Sequence, residues 1–191
     1  LSVPAGFDQV SATQPYYRST YVLVFPKGKG LDGVHSSDDL LGLPQEQVAK
    51  LRIGLYDRSP ASQWLARHRM VDNGVPYQIM NADPAFFPGQ DIERDLVSGK
   101  IDAAIVWGPI GGFFVKHTHT PELTVAPMRS EPNLQMEFSI AMGVRYGEPK
   151  WKAQVESLLA RHAGDIQDIL HEYAVPTVAI PPAAPDQDGK K

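Results

Sequence analysis

The stretch Asp102-Ala103-Ala104-Ile105-Val106-Trp107, followed by Gly108-Pro109, decides the fold. It is apolar without alternation, the pattern of a parallel strand covered on both faces by crossover helices. Upstream of it the chain reads as strand 51–55, helix 60–71, strand 77–80 and helix 91–97, so that 101–107 becomes the central strand of a βαβαβ unit. Ser59 can cap the first helix and Pro60 suits its first position, while Ala61, Trp64, Leu65 and His68 share one face. Gly99 suits the end of the second helix. Before the unit, 21–25 reads as a strand closed by Pro26-Lys27-Gly28-Lys29-Gly30; after it come strands at 123–126 and 138–144, with a loop over 127–135 between them. Further on, Trp151, Val155, Leu158, Leu159, His162, Ile166, Ile169, Leu170 and Tyr173 follow helical spacing, with a break expected at Gly164-Asp165.

The strands at 21–25 and 138–144 stand at opposite ends of the α/β unit, each beside sequence that does not belong to it, as hinge strands do. The expected organisation is a hinge entry and remnant of a first lobe over 1–25 and a complete α/β lobe over 26–137. A hinge return with the first lobe's C-terminal helices follows over 138–176, and a proline-rich disordered tail over 177–191. Leu1 in place of Met, and hinge strands that lack a full second lobe, predict that the chain is part of a longer exported polypeptide.

Composition narrows the function. The 191 residues are 42% hydrophobic and 21% charged, which is globular. No apolar run approaches the roughly 20 residues of a membrane helix, so no membrane insertion is expected. The net charge of −4, with basic residues in short clusters such as Arg67-His68-Arg69, leaves no nucleic-acid footprint. Cysteine is absent, which removes thiol nucleophiles, disulfides and thiolate metal sites together.

Three stretches carry a resemblance: 13–22 (Thr-Gln-Pro-Tyr-Tyr-Arg-Ser-Thr-Tyr-Val), Leu51-Arg52-Ile53-Gly54, and 102–109 with its Trp-Gly-Pro. They are similar to the bilobed periplasmic solute-binding proteins of ABC transporters. More closely, they resemble the XoxJ/MxaJ-type branch associated with quinoprotein (methanol) dehydrogenases. Trp107-Gly108-Pro109, followed by Gly112-Phe113-Phe114, is the most specific mark, and the similarity runs to about Pro176. The resemblance implies an α/β fold of the type II periplasmic binding protein kind, with one complete βαβαβ lobe plus hinge strands and C-terminal helices of an incomplete second lobe. It implies a periplasmic accessory protein, without cofactor or catalytic residues, whose partner is a PQQ-dependent methanol or alcohol dehydrogenase. The alternative is an ABC-transporter solute-binding protein for a small, largely apolar or aromatic organic solute.

Amino-acid-binding members of the wider fold usually carry an acidic residue where this chain has Trp107, and that carboxylate meets the ligand ammonium. An indole offers cation–π attraction and an apolar face instead, which disfavours an ordinary amino-acid ligand. Trp107 is either cleft lining or simply core at a strand end. Tyr56-Asp57-Arg58-Ser59 joins a strand end to a helix start, where open α/β sheets hold ligands; equally, Ser59 merely caps and Asp57 and Arg58 are solvated. Gly108-Pro109-Ile110-Gly111-Gly112-Phe113-Phe114 joins backbone freedom to paired aromatics, as a cleft wall or as a helix packing Ile110, Phe113 and Phe114 into the core. The expected groove gathers Tyr16, Tyr17, Trp107, Phe113 and Phe114. His117 and His119 do not make a metal site without a third ligand. No nucleophile elbow, phosphate loop or HExxH motif is present.

Overall fold

A computed structural model of the chain describes residues 10–79 and 85–181. Its strands and helices run β1 (Val10–Ala12), β2 (Tyr17–Pro26), α1 (Ser37–Leu41), α2 (Gln45–Val48), β3 (Ile53–Tyr56), α3 (Pro60–Arg67), β4 (Gly74–Tyr77), α4 (Gln90–Val97), β5 (Ala103–Trp107), α5 (Gly108–His117), β6 (Leu123–Pro127), β7 (Glu137–Ile140), β8 (Gly143–Arg145), α6 (Pro149–Arg161) and α7 (Ala163–Glu172). The main sheet is ordered β4-β3-β5-β2-β6, with β7 beside the first half of β2. β3 is parallel to β4 and to β5, whereas β2 runs antiparallel to β5, β6 and β7.

Ala103, Ala104, Ile105 and Val106 are each 0% exposed, as an unalternated strand between two layers must be. On one face Ile53, Leu55, Ala103, Ile105, Leu23 and Phe25 meet Ala61, Trp64 and Leu65 of α3 together with Leu31, Val34 and Leu40. On the other, Val22, Val24, Ala104 and Val106 meet Ile92 and Leu96 of α4 and Phe114 of α5. β1 and β8 form a separate two-stranded sheet, and α6 and α7 bury none of their residues.

Several boundaries differ from the sequence pattern. α3 stops at Arg67 because Arg69 takes a left-handed φ of 58° and the Met70 N–H donates to the Leu65 carbonyl, closing the turn without a glycine signal. β4 occupies 74–77 rather than 77–80; it is an edge strand, where Pro76 costs no ladder bond, and Met80 lies outside the described residues. The single strand expected at 138–144 is two, because its halves have different partners: β7 pairs with β2 and β8 with β1. The last two helices part at His162, not at Gly164-Asp165; the His162 Nδ1 meets the Asp165 carboxylate at 2.7 Å across the junction.

Two short helices and β1 have no counterpart in the pattern. α1 nonetheless carries a readable cap, in which Ser36 Oγ accepts from the Asp39 N–H and bonds its carboxylate at 2.9 Å. Thr177 and Val178, assigned above to the tail, instead pair with Ser19 and Arg18 of β2. Residues 1–9 and 182–191, the latter the end of that expected tail, lie outside the described residues.

Candidate functional site

Tyr21 and Trp107 are directly opposite in the β2–β5 ladder, at the carboxyl end of the central strand. Alternate residues of a strand share a side, and Ala103 and Ile105 belong to the α3-side core, so Trp107 lies on that face. Its ring stands edge-on to Tyr21 at 5.6 Å and to Phe138 of β7 at 5.8 Å, and Tyr21 reaches Phe138 at 6.3 Å. Three edge-to-face pairs make a closed aromatic trio, a geometry favoured by the ring quadrupoles. All three residues are half-buried, so the trio still offers surface. Burial pushes the Tyr21 phenol up, which keeps it neutral.

Glu137, next to Phe138 along β7, points to the other face of the sheet, where it accepts from Arg18 at 3.0 Å, with Ser139 Oγ at 3.5 Å from the same guanidinium. Tyr21 and Phe138 were missed as site residues. Tyr21 lies in a strand legible from sequence and Phe138 begins another, but their meeting with Trp107 depends on the β2–β5 and β2–β7 registers, which no local spacing encodes.

The expected five-residue groove does not form. Phe114 is 0% exposed in the core on the opposite face of the sheet. Phe113 packs against that core too, beside Phe87 at 5.3 Å and stacked on His117 at 3.8 Å. Tyr16 and Tyr17 pair with each other at 5.2 Å, and burial, then the neighbouring Tyr16, raises the Tyr17 phenol. The reason is helical: α5 begins at Gly108 itself, so its apolar residues turn away from the strand end onto the sheet.

Gly108, Gly111 and Gly112 are there for close approach. A Cβ on Gly108 would lie 2.5 Å from the Thr20 carbonyl and against the Ser19 hydroxyl; on Gly111 it would meet Val22, and on Gly112 the Ala174 carbonyl. Pro109 sits in the first turn of α5, where its missing N–H costs nothing.

At the start of α3, Asp57 and Arg58 pair at 3.5 Å with side chains 64% and 90% exposed, so they are solvated. Ser59 occupies the cap position without making a cap bond, and its hydroxyl is buried with no hydrogen-bond partner. Tyr56 turns to the other face, where it lines a pocket of about 220 Å³ with Tyr77, Phe87, Gln90 and Asp91. Burial, then the charge of Asp91, raises its phenol. Among the described residues no three His, Asp or Glu side chains gather to hold a metal, and no helix is long and apolar enough to cross a membrane.

No family model matches the chain. Protein MoxJ of Methylorubrum extorquens is 27% identical over 197 residues, 94% of this chain and 62% of that protein, so the chain spans under two thirds of this curated relative. The crystal structure of MxaJ from Methlophaga aminisulfidivorans MPT superposes with a TM-score of 0.72 at 19% identity, over 92% of this chain and 74% of that one. The periplasmic binding protein XoxJ from Methylobacterium extorquens AM1 superposes equally well, at 0.72, and is 31% identical over 90% of this chain and 74% of its own. The fold is therefore that of the type II periplasmic binding proteins, mixed α/β with a central sheet and helices on its faces. On the strength of the XoxJ match, the chain belongs to the XoxJ/MxaJ-type periplasmic binding proteins.

Proposed function

We propose that the protein acts in the periplasm as an accessory protein of a PQQ-dependent methanol or alcohol dehydrogenase. It binds that enzyme and assists its maturation or activation, without catalysing a reaction itself. The observation that carries this reading is the half-buried trio of Tyr21, Trp107 and Phe138 at the hinge end of the central strand. A small-solute receptor uses convergent polar groups to orient its ligand. Here the surface is built of three aromatic rings, which suits an apolar segment of a protein partner. Binding one conformer of the dehydrogenase more tightly than another would shift its population towards the active form.

The test is calorimetric titration of the dehydrogenase with the wild-type chain, Trp107→Ala and Phe138→Ala, with turnover measured alongside. Loss of about 2 kcal/mol at an aromatic anchor weakens binding by more than tenfold. Affinity of both variants equal to that of the wild type removes the trio from the interface.

One observation favours a second reading, a small-solute receptor. The buried, unpartnered Ser59 hydroxyl at the start of α3 is a donor or acceptor awaiting a polar group. A panel of organic anions and amino acids tests it: binding that is lost in Ser59→Ala and indifferent to the dehydrogenase supports the receptor.

A further inference from the structure

β2 is one ten-residue strand with a change of partners midway. Residues 22–24 run between β5 and β6, and 25–26 continue along β6, whereas 17–20 pairs with β7 on one edge. On its other edge the chain returning from α7 is laid down: Ser19 bridges Thr177, and the Val178 N–H donates to the Arg18 carbonyl at 3.0 Å. At the change of partners Ser19 is 0% and Thr20 1% exposed.

Both hydroxyls are spent on backbone carbonyls of the neighbouring crossings. Thr20 Oγ1 donates to the Met128 carbonyl at 2.5 Å and lies 3.3 Å from that of Met136, so it ties the exit of β6 to the entry of β7. Ser19 Oγ donates to the Pro176 carbonyl at 2.5 Å. The first turn of α5 presses on the same point, since a Cβ on Gly108 would touch Ser19, Thr20 and Pro176 together.

We propose that Ser19 and Thr20 clamp the hinge. They lock three chain crossings, β2, β7 and 176–178, into one unit, so the parts of the chain on either side of it keep a fixed angle and do not close over the aromatic surface at Trp107. A swing would have to break buried hydroxyl bonds and lift α5 off a backbone contact, and each broken bond leaves a desolvated polar atom. This goes beyond the functional reading, because a fixed hinge follows whatever binds the aromatic surface.

The chain has no cysteine, so Glu46→Cys on α2 and Lys150→Cys on α6 give two unique, exposed attachment points for spin labels. Dipolar distance measurement on the labelled chain is expected to give one narrow distribution, with a second population appearing when Ser19→Ala and Thr20→Val are added. Two populations with the hinge residues intact, or no change in the double variant, would overturn the clamp. A milder measurement covers a double variant that fails to fold. In Ser19→Ala alone, the Val178 amide should exchange with solvent about tenfold faster while the β3 amides are unchanged, and unaltered exchange at Val178 would also overturn it.

Discussion

Gly108, Gly111 and Gly112 look alike in sequence to any glycine pair in a flexible turn, yet each touches something a Cβ would displace, and none has a left-handed backbone. Gly164, by contrast, has open space around the position of its missing Cβ and lies inside α7. The same substitution should therefore act in opposite directions. Gly108→Ala and Gly112→Ala should each destabilise the fold by about 1–3 kcal/mol through overpacking. Gly164→Ala should stabilise it by about 0.5–1 kcal/mol through helix propensity. Urea denaturation measures all three. The motif was legible; its cause was not, because a glycine's neighbours across the fold leave no mark on the chain.

Asp95 is a second residue whose role required the structure. It is 3% exposed, and it accepts from the Tyr77 hydroxyl at 2.6 Å, Lys100 Nζ at 2.8 Å and Arg94 Nε at 3.2 Å. Burial pushes its carboxyl up, but the bonds from Lys100, Tyr77 and Arg94 outweigh that and hold it below its ordinary value. A depressed folded pKa contributes stability that is present above the unfolded carboxylate value and lost as pH falls through the folded one. Thermal melts should therefore fall as pH drops below about 4, the ordinary carboxylate range, and Asp95→Asn should flatten that decline while costing about 1–3 kcal/mol at pH 7. An unchanged acid limb in the variant would deny Asp95 this part.

At the scale of elements, β5 was read correctly from its own residues, because burial on both faces is written as absence of alternation. α5 was not. The spacing of Ile110, Phe113 and Phe114 permits a helix but does not say which face of the sheet receives it, and Gly108 starts the turn one residue after the strand. The trio was beyond reach for the opposite reason: Tyr21 and Phe138 are 117 positions apart, joined only by pairing with a common neighbourhood. The division of labour can be measured. Phe114→Ala should cost about 3–5 kcal/mol of stability, as a large aromatic removed from a core does. Phe138→Ala, half-buried, should cost less stability and should chiefly weaken partner binding. If both variants lose only stability, the trio is packing and not a contact surface.

For the whole molecule, the Trp-Gly-Pro strand end and the hinge strand allowed the family to be recognised, and the XoxJ superposition bears that out. The βαβαβ order was legible because each element carries its own period. The β1–β8 sheet was not, because three-residue strands carry too little pattern to stand out. An aromatic strand end in place of a carboxylate also has a consequence for ligands: calorimetry against a panel of free amino acids should show no heat.

The most direct measurement is the titration of a PQQ-dependent methanol dehydrogenase with this chain, wild type and Trp107→Ala. Saturable association, weakened by more than about tenfold in the variant, is the expected result. Absence of association with the wild-type chain, or equal affinity of the two, would contradict the account.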